Sequence, residues 1–301
     1  MRRFLASPEG RDTAVVINEY GAVGIDDALI RDSADEITLL GNGCLCCNTR
    51  SDLQVALRRL VAERARGAVP AFGRIVIETS GLADPGPILQ TFSTDRALGG
   101  EFFVEVVLAV VGAVGGLDTL GWSAEARKQA ILADRLVISK TDLAEPDAIE
   151  GLRERLRALN PRAAITTAVA GEIEPRWLIE AVNEETRAER SGFVAEAEHS
   201  DGIVSFVWKD DAPLPWDVFA RAMETLMALR GPDLLRVKGF LNVAGCRGPV
   251  LVQFVQHLAH PPVELTAWPE ADHKSRLVFI TRNISEQQVR GLLASVRALA
   301  T

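Results

Sequence analysis

Spaced cysteines are missing from this chain. Only 4 of its 301 residues are cysteine, and three of them crowd into one turn, so no distributed disulfide framework is available. Positive charge is also in short supply. The 33 lysines and arginines face 41 acidic residues, and a net charge of -8 excludes a global basic footprint for nucleic acid. Long apolar runs are absent too. The longest, VEVVLAVVGAVGGL, has an acid at its second position and three glycines. It is too short to span a bilayer and reads as a buried strand leading into a loop. The opening MRRFLASPEG has two arginines but no apolar stretch of secretory-leader length. The expectation is a cytoplasmic protein with no membrane or nucleic-acid partner. Neither an internal repeat nor a low-complexity tract is present.

What is there is an alternation. TAVVIN, RIVIET, VEVVLAVVG, RLVIS and AAITTA are short apolar runs. Helix-like stretches separate several of them: SDLQVALRRLVAERARG with a serine N-cap and a closing glycine, EARKQAILADR, and PDAIEGLRERLRALN opened by proline. Strands alternating with helices imply crossovers and a mostly parallel sheet with flanking helices, an α/β fold. Polar residues follow the strand runs directly: Asn18 and Glu19, Glu78 to Gly81, and Ser139 to Asp142. In parallel sheets ligands sit beyond the carboxyl ends of the strands, so these clusters predict a site on one rim. Past Ala188 a polar, aperiodic stretch reads as a linker. Strand, helix, several strands and a final helix follow, predicting a small α+β domain with helices on one face of an antiparallel sheet. The predicted domains are 1–188 and 189–301.

Three motifs carry chemistry. GNGCLCCN places Cys44, Cys46 and Cys47 in a Gly- and Asn-rich turn. Thiolates are soft ligands that suit zinc, with cobalt as the alternative, and three of them leave a fourth position open for exchange. Incidental buried thiols or a strained local disulfide are the competing readings. Glu19 is a candidate oxygen ligand or an exposed loop carboxylate. In RIVIETSGLADP, Glu78 at a strand tip suits the water shell of Mg²⁺, and Gly81 allows a backbone N–H close to a terminal phosphate. Glu78 capping the next helix is the plainer alternative. In LVISKTDL, Lys140 and Asp142 have the spacing of a guanine-reading pair, with the carboxylate accepting from the base and the lysine stem along it. An ordinary helix-opening turn is the other reading. Arg236, Lys238 and Trp268 form a possible client surface, with packing as the alternative for Trp268. His199, His257, His260 and His273 are scattered and read as structural or solvated.

VVINEYGAVGID, GNGCLCC, IVIETSGLADP, AILADRLVISKTDL, LLRVKGFLNVAG and SRLVFITRN, in that order over nearly the whole chain, resemble the CobW family of P-loop GTPases. The resemblance implies a GTPase domain followed by a CobW C-terminal domain. It implies GTP hydrolysis with Mg²⁺, and zinc or cobalt carried to a client metalloprotein. It further implies metal-binding roles for Cys44, Cys46 and Cys47, and a Mg²⁺- and γ-phosphate-sensing role for Glu78 and Gly81. Lys140 and Asp142, with Ser139 before them, become the guanine loop, and Asn18 to Asp26 the first switch. Three departures stand out. No G-x-x-x-x-G-K-[ST] motif occurs in these residues, Gly112 stands where the family has aspartate, and Ser139 replaces an asparagine. The family's first strand runs through the middle of its sheet, so a chain without it is expected to leave two strands unpaired. A start set too late is the favoured explanation. A strand from a separate chain, or a homologue that keeps metal binding without hydrolysis, are the others.

Overall fold

The computed structural model describes residues 1–18, 50–179, 202–255, 258–268 and 272–300. They fall into two compact units. One holds Met1–Gln129, Arg135–Leu152 and Ile165–Glu180; the other holds Ala130–Asp134, Arg153–Ala164 and Ala181–Thr301. Nearly all of the predicted linker, residues 189–201, lies outside the described residues.

The first unit opens with one helical turn, α1 (Arg2–Leu5), whose Phe4 is buried. Strand β1 (Thr13–Asn18) runs parallel to β2 (Arg74–Thr79), in a register that sets Asn18 beside Thr79. Helix α2 (Arg50–Ala65) joins their layer and places Leu53, Leu57 and Leu60 on one stripe at helical spacing. That stripe packs with Val16, Phe72, Phe92 and Leu98. Phe92 comes from α3 (Pro85–Thr94) and Leu98 from α4 (Arg96–Glu101). Gly67, at φ +69, closes α2 as its sequence predicts. Ser51, expected as the N-cap, lies inside the helix, which begins at Arg50.

The second group of parallel strands is ordered β3 (Leu108–Gly112), β4 (Arg135–Ser139), β5 (Ala164–Ala168). Between them come α5 (Gly116–Trp122), α6 (Ala124–Leu132) and α7 (Pro146–Leu159), and α8 (Pro175–Ile179) follows. Central β4 has Leu136, Val137 and Ile138 fully buried, as a strand covered on both faces should. Strands β2 and β3 are not paired with each other among the described residues. Their apolar side chains are correspondingly open: Ile75, Val76 and Ile77 are only half-buried, Leu108 is 40% exposed and Val110 61%.

The other unit is built on a six-stranded antiparallel sheet, confirming the predicted α+β architecture. Its order is β10 (Val263–Glu264), β8 (Val250–Val255), β7 (Leu234–Leu241), β11 (Ser275–Arg282), β6 (Ile203–Asp210), with β9 (Leu258–Ala259) hairpinned onto β8. Alternation decides the faces. Val204, Phe206 and Trp208 of β6 join Leu277 and Phe279 of β11 in one core with Phe219 of α9 (Trp216–Arg230) and Leu293 of α10 (Glu286–Ala300). Phe206 stacks on Phe279 with ring centroids 5.2 Å apart.

The opposite sheet face grips residues 130–134 and 153–164. Arg236 Nη1 donates to the Leu132 carbonyl, and its Nη2 donates to Asp134 Oδ2 at 2.8 Å. Lys238 Nζ lies 3.6 Å from the same oxygen, and Arg162 Nε donates to Ser205 Oγ at 3.1 Å. Asn160, 3% exposed, donates to the carbonyls of Ala130, Ile131 and Ala133 at 2.8–3.0 Å and accepts from Arg162 N and Ala163 N. It satisfies carbonyls that the end of α6 leaves without helical partners. Arg236 therefore corrects an expectation: at 6% exposure it is a buried anchor and presents no client surface. Trp268 packs against His273, centroids 5.0 Å apart. His260 is buried, neither ring nitrogen has a hydrogen-bond partner among the described residues, and burial, with the Arg236 charge, pushes its pKa down to about 4.

Among the described residues no helix is long and apolar enough to cross a membrane.

Candidate functional site

The strand tips of the first unit meet in pairs. Glu78 is the fifth residue of β2 and lies beside Ile17, one step short of the Asn18–Thr79 pairing. Gly112 ends β3 beside Ser139, which ends β4. Asn18, Glu78 and Ser139 thus lie in the last two residues of parallel strands, while Glu19 lies outside the described residues.

Beyond β4 the chain turns sharply. Lys140 takes φ 57°, ψ 39°, a left-handed conformation uncommon for a residue with a side chain. It opens a 3-10 turn at Thr141–Leu143, closed by Leu143 N donating to Lys140 O at 3.1 Å. Lys140 and Asp142 are exposed by this turn. The Ser139 carbonyl accepts from Ala113 N at 2.8 Å, and its hydroxyl lies 3.5 Å from Val111 O. The serine is thereby tied to β3, where a longer amide would extend past the tip.

Beyond β2 the Glu78 carboxylate is exposed, and the loop after it is knotted by local bonds. Leu82 N donates to Ser80 Oγ at 3.2 Å, and Ala83 N to Ser80 O at 3.0 Å. Asp84 Oδ1 accepts from Gly86 N at 2.8 Å and caps α3, so the cap role considered for Glu78 belongs to Asp84. A Cβ on Gly81 would meet nothing within 4 Å. Two residues of α6 hold this loop from outside. Lys128 Nζ lies 2.6 Å from Asp84 Oδ2, and Gln129 Nε2 donates to the carbonyls of Gly81 at 3.0 Å and Ala83 at 2.8 Å. Neither was marked by the sequence reading, because a polar helix residue carries no sign of which distant loop it meets.

The described strand tips present an exposed Glu78 carboxylate beside the Gly81 loop, and an exposed Lys140-x-Asp142 turn after β4. Glu19, Cys44, Cys46, Cys47 and the switch residues to Asp26 lie outside the described residues. No group of three potential metal ligands occurs among the described ones. Cys246, the remaining cysteine, is exposed and free.

Parallel strands whose tips bear a carboxylate, a glycine loop and a Lys-x-Asp turn, joined in sequence to an antiparallel α+β unit, define a nucleotide-binding α/β class of protein. The family model described as CobW/HypB/UreG, nucleotide-binding domain, matches residues 1–167, and that of the cobalamin synthesis protein CobW C-terminal domain matches residues 203–297. The chain belongs to the CobW family. It is 34% identical to the zinc chaperone YjiA of Escherichia coli (strain K12) over 301 residues, covering 99% of this chain and 93% of that protein. A zinc-regulated GTPase metalloprotein activator 1 of Schizosaccharomyces pombe is 30% identical over 181 residues, 58% of this chain and 43% of the relative. The crystal structure of Zn(II)-bound YjiA GTPase from E. coli superposes with a TM-score of 0.64 at 27% identity, over 95% of this chain and 98% of that one.

Proposed function

We propose that this protein binds and hydrolyses GTP and couples that reaction to delivery of zinc, or cobalt, to a client metalloprotein. The reading is supported above all by likeness to a zinc chaperone along almost the whole chain, in a sequence that also carries Cys44, Cys46 and Cys47. The metal is cargo, bound by the three thiolates, with Glu19 as a further oxygen donor. Asp142 accepts from the guanine N1 and N2 hydrogens while the Lys140 stem lies along the base. Ser139 and Asn18 flank the nucleotide. Glu78 holds the water shell of Mg²⁺, and Gly81 N–H meets the γ-phosphate. In hydrolysis a water oxygen bonds to the γ-phosphorus, the bond to the β–γ bridging oxygen breaks, and GDP and phosphate leave. The nucleotide domain is assigned to 1–188 and the C-terminal domain to 189–301.

A second reading, a metal-binding or client-docking homologue without turnover, is favoured by one observation: no Walker A motif occurs in these 301 residues. Titration of the protein with Mg·GTP and Mg·ATP, followed by a phosphate-release assay, separates the two. Saturable binding of GTP over ATP with release of phosphate is the expected result. Stoichiometric zinc binding with no nucleotide bound would leave the second reading standing.

A further inference from the structure

We infer that Gln129 is a positioning residue for the phosphate-sensing loop, fixing the peptide planes that follow Gly81 and Ala83 so that the loop keeps the shape in which Gly81 N–H is available to a terminal phosphate. The inference rests on the GTP reading above and adds a residue which that reading does not use. The observation is local. Gln129 Nε2 uses both amide hydrogens, one on Gly81 O at 3.0 Å and one on Ala83 O at 2.8 Å. Both partners are carbonyls, so the orientation of the amide is set by the acceptors. The neighbouring N–H groups of Leu82 and Ala83 are taken by Ser80. Gly81 N–H has no partner among the described residues.

The bonds from Leu82 and Ala83 to Ser80 set the turn within the loop, and Gln129 ties its Gly81 and Ala83 carbonyls to α6. Leu82 is exposed, and a Cβ on Gly81 would touch nothing. Without Gln129 both carbonyls are free to turn to water, and the turn that carries the Ser80–Gly81 peptide loses its tie to α6, with no steric limit at Gly81 to hold its angle. The Lys128–Asp84 pair fixes the end of the loop where α3 starts, but it contacts neither carbonyl. A bound triphosphate would then have to order the loop itself, which lowers its affinity. A diphosphate, having no γ-phosphate, is indifferent to the loop.

The experiment compares Gln129→Ala and Gln129→Glu with the unsubstituted protein. Two quantities are measured: the Kd values of Mg·GDP and of a non-hydrolysable GTP analogue, and hydrogen exchange of the amides in residues 80–86 without nucleotide. Both variants are expected to weaken the GTP analogue about tenfold while leaving GDP within about twofold, and to accelerate exchange in the loop. Glutamate has a similar length but accepts instead of donating, so it should behave like alanine or worse. Equal loss for both nucleotides, or an unchanged ratio with unchanged exchange, overturns the positioning role. If the unsubstituted protein binds no guanine nucleotide, the underlying function falls and takes the nucleotide part of this inference with it. Accelerated loop exchange in that case would still establish the anchoring by Gln129.

Discussion

Asp142→Ala is expected to lower affinity for GTP by at least about a hundredfold, leaving the thermal midpoint of the protein unchanged. The first part follows from hydrogen-bond chemistry. Guanine offers two adjacent donors, and a carboxylate is the one side-chain group that accepts from both while charged. Each charge-assisted bond contributes about 1.5–3 kcal/mol, and losing the pair costs two or more factors of ten. The second part follows from position. Asp142 is exposed in a 3-10 turn closed by a backbone bond from Leu143 to Lys140, and that bond needs no side chain. Lys140→Ala should have the smaller effect on affinity, since it removes a stem lying along the base. Fluorescence titration with a labelled GTP checks both variants. Affinity for GTP that survives the loss of Asp142 would mean the base is read elsewhere.

His260 carries the second large effect, on stability instead of binding. Its pKa falls from the usual 6.5 to about 4, first because burial penalises the charged ring and then because Arg236 is nearby. The native state therefore keeps it neutral across a range where the unfolded chain takes up a proton. Unfolding binds protons between about pH 6.5 and pH 4, so native stability falls as the pH drops through that window and recovers as it rises. The contribution is about 2 kcal/mol at pH 5 and about 3 kcal/mol once the lower limit is passed. His260→Leu removes both the titration and two buried nitrogens that have no partner among the described residues. Urea unfolding at pH 7, 6 and 5 should show the variant gaining on the parent as the pH falls. A difference between them that does not change with pH would place the histidine outside this linkage.

The fold was readable because its signals are local. Apolar strand runs alternate with capped helices, so the parallel arrangement around β4 and the antiparallel sheet of β6 to β11 both follow from periodicity. The strand-tip positions were readable for the same reason: Glu78 and Ser139 lie within the last two residues of strand runs, and Asp142 lies in the turn after one. What could not be read is the set of side chains that join segments distant in sequence. Asn160, Arg236 and Gln129 each bind backbone carbonyls far along the chain, and a carbonyl has no residue-type signature to announce it. Arg236 shows the error this produces. Beside Lys238 in a basic strand it resembles surface charge, yet the Asp134 carboxylate and the Leu132 carbonyl supply partners that make its burial tolerable. Ser51 illustrates a smaller limit, for a capping residue type inside a helix looks the same in sequence as one at its start.

Zinc titration of the reduced protein, with and without Mg·GTP, tests the central claim most directly. One zinc ion per chain, lost on replacing Cys44, Cys46 and Cys47 together by alanine and bound with a different affinity once GTP is present, is the expected outcome. By linkage the nucleotide affinity must then change by the same factor when zinc is added. Zinc binding that ignores GTP, or that persists without the three thiols, would contradict a GTP-dependent metal carrier.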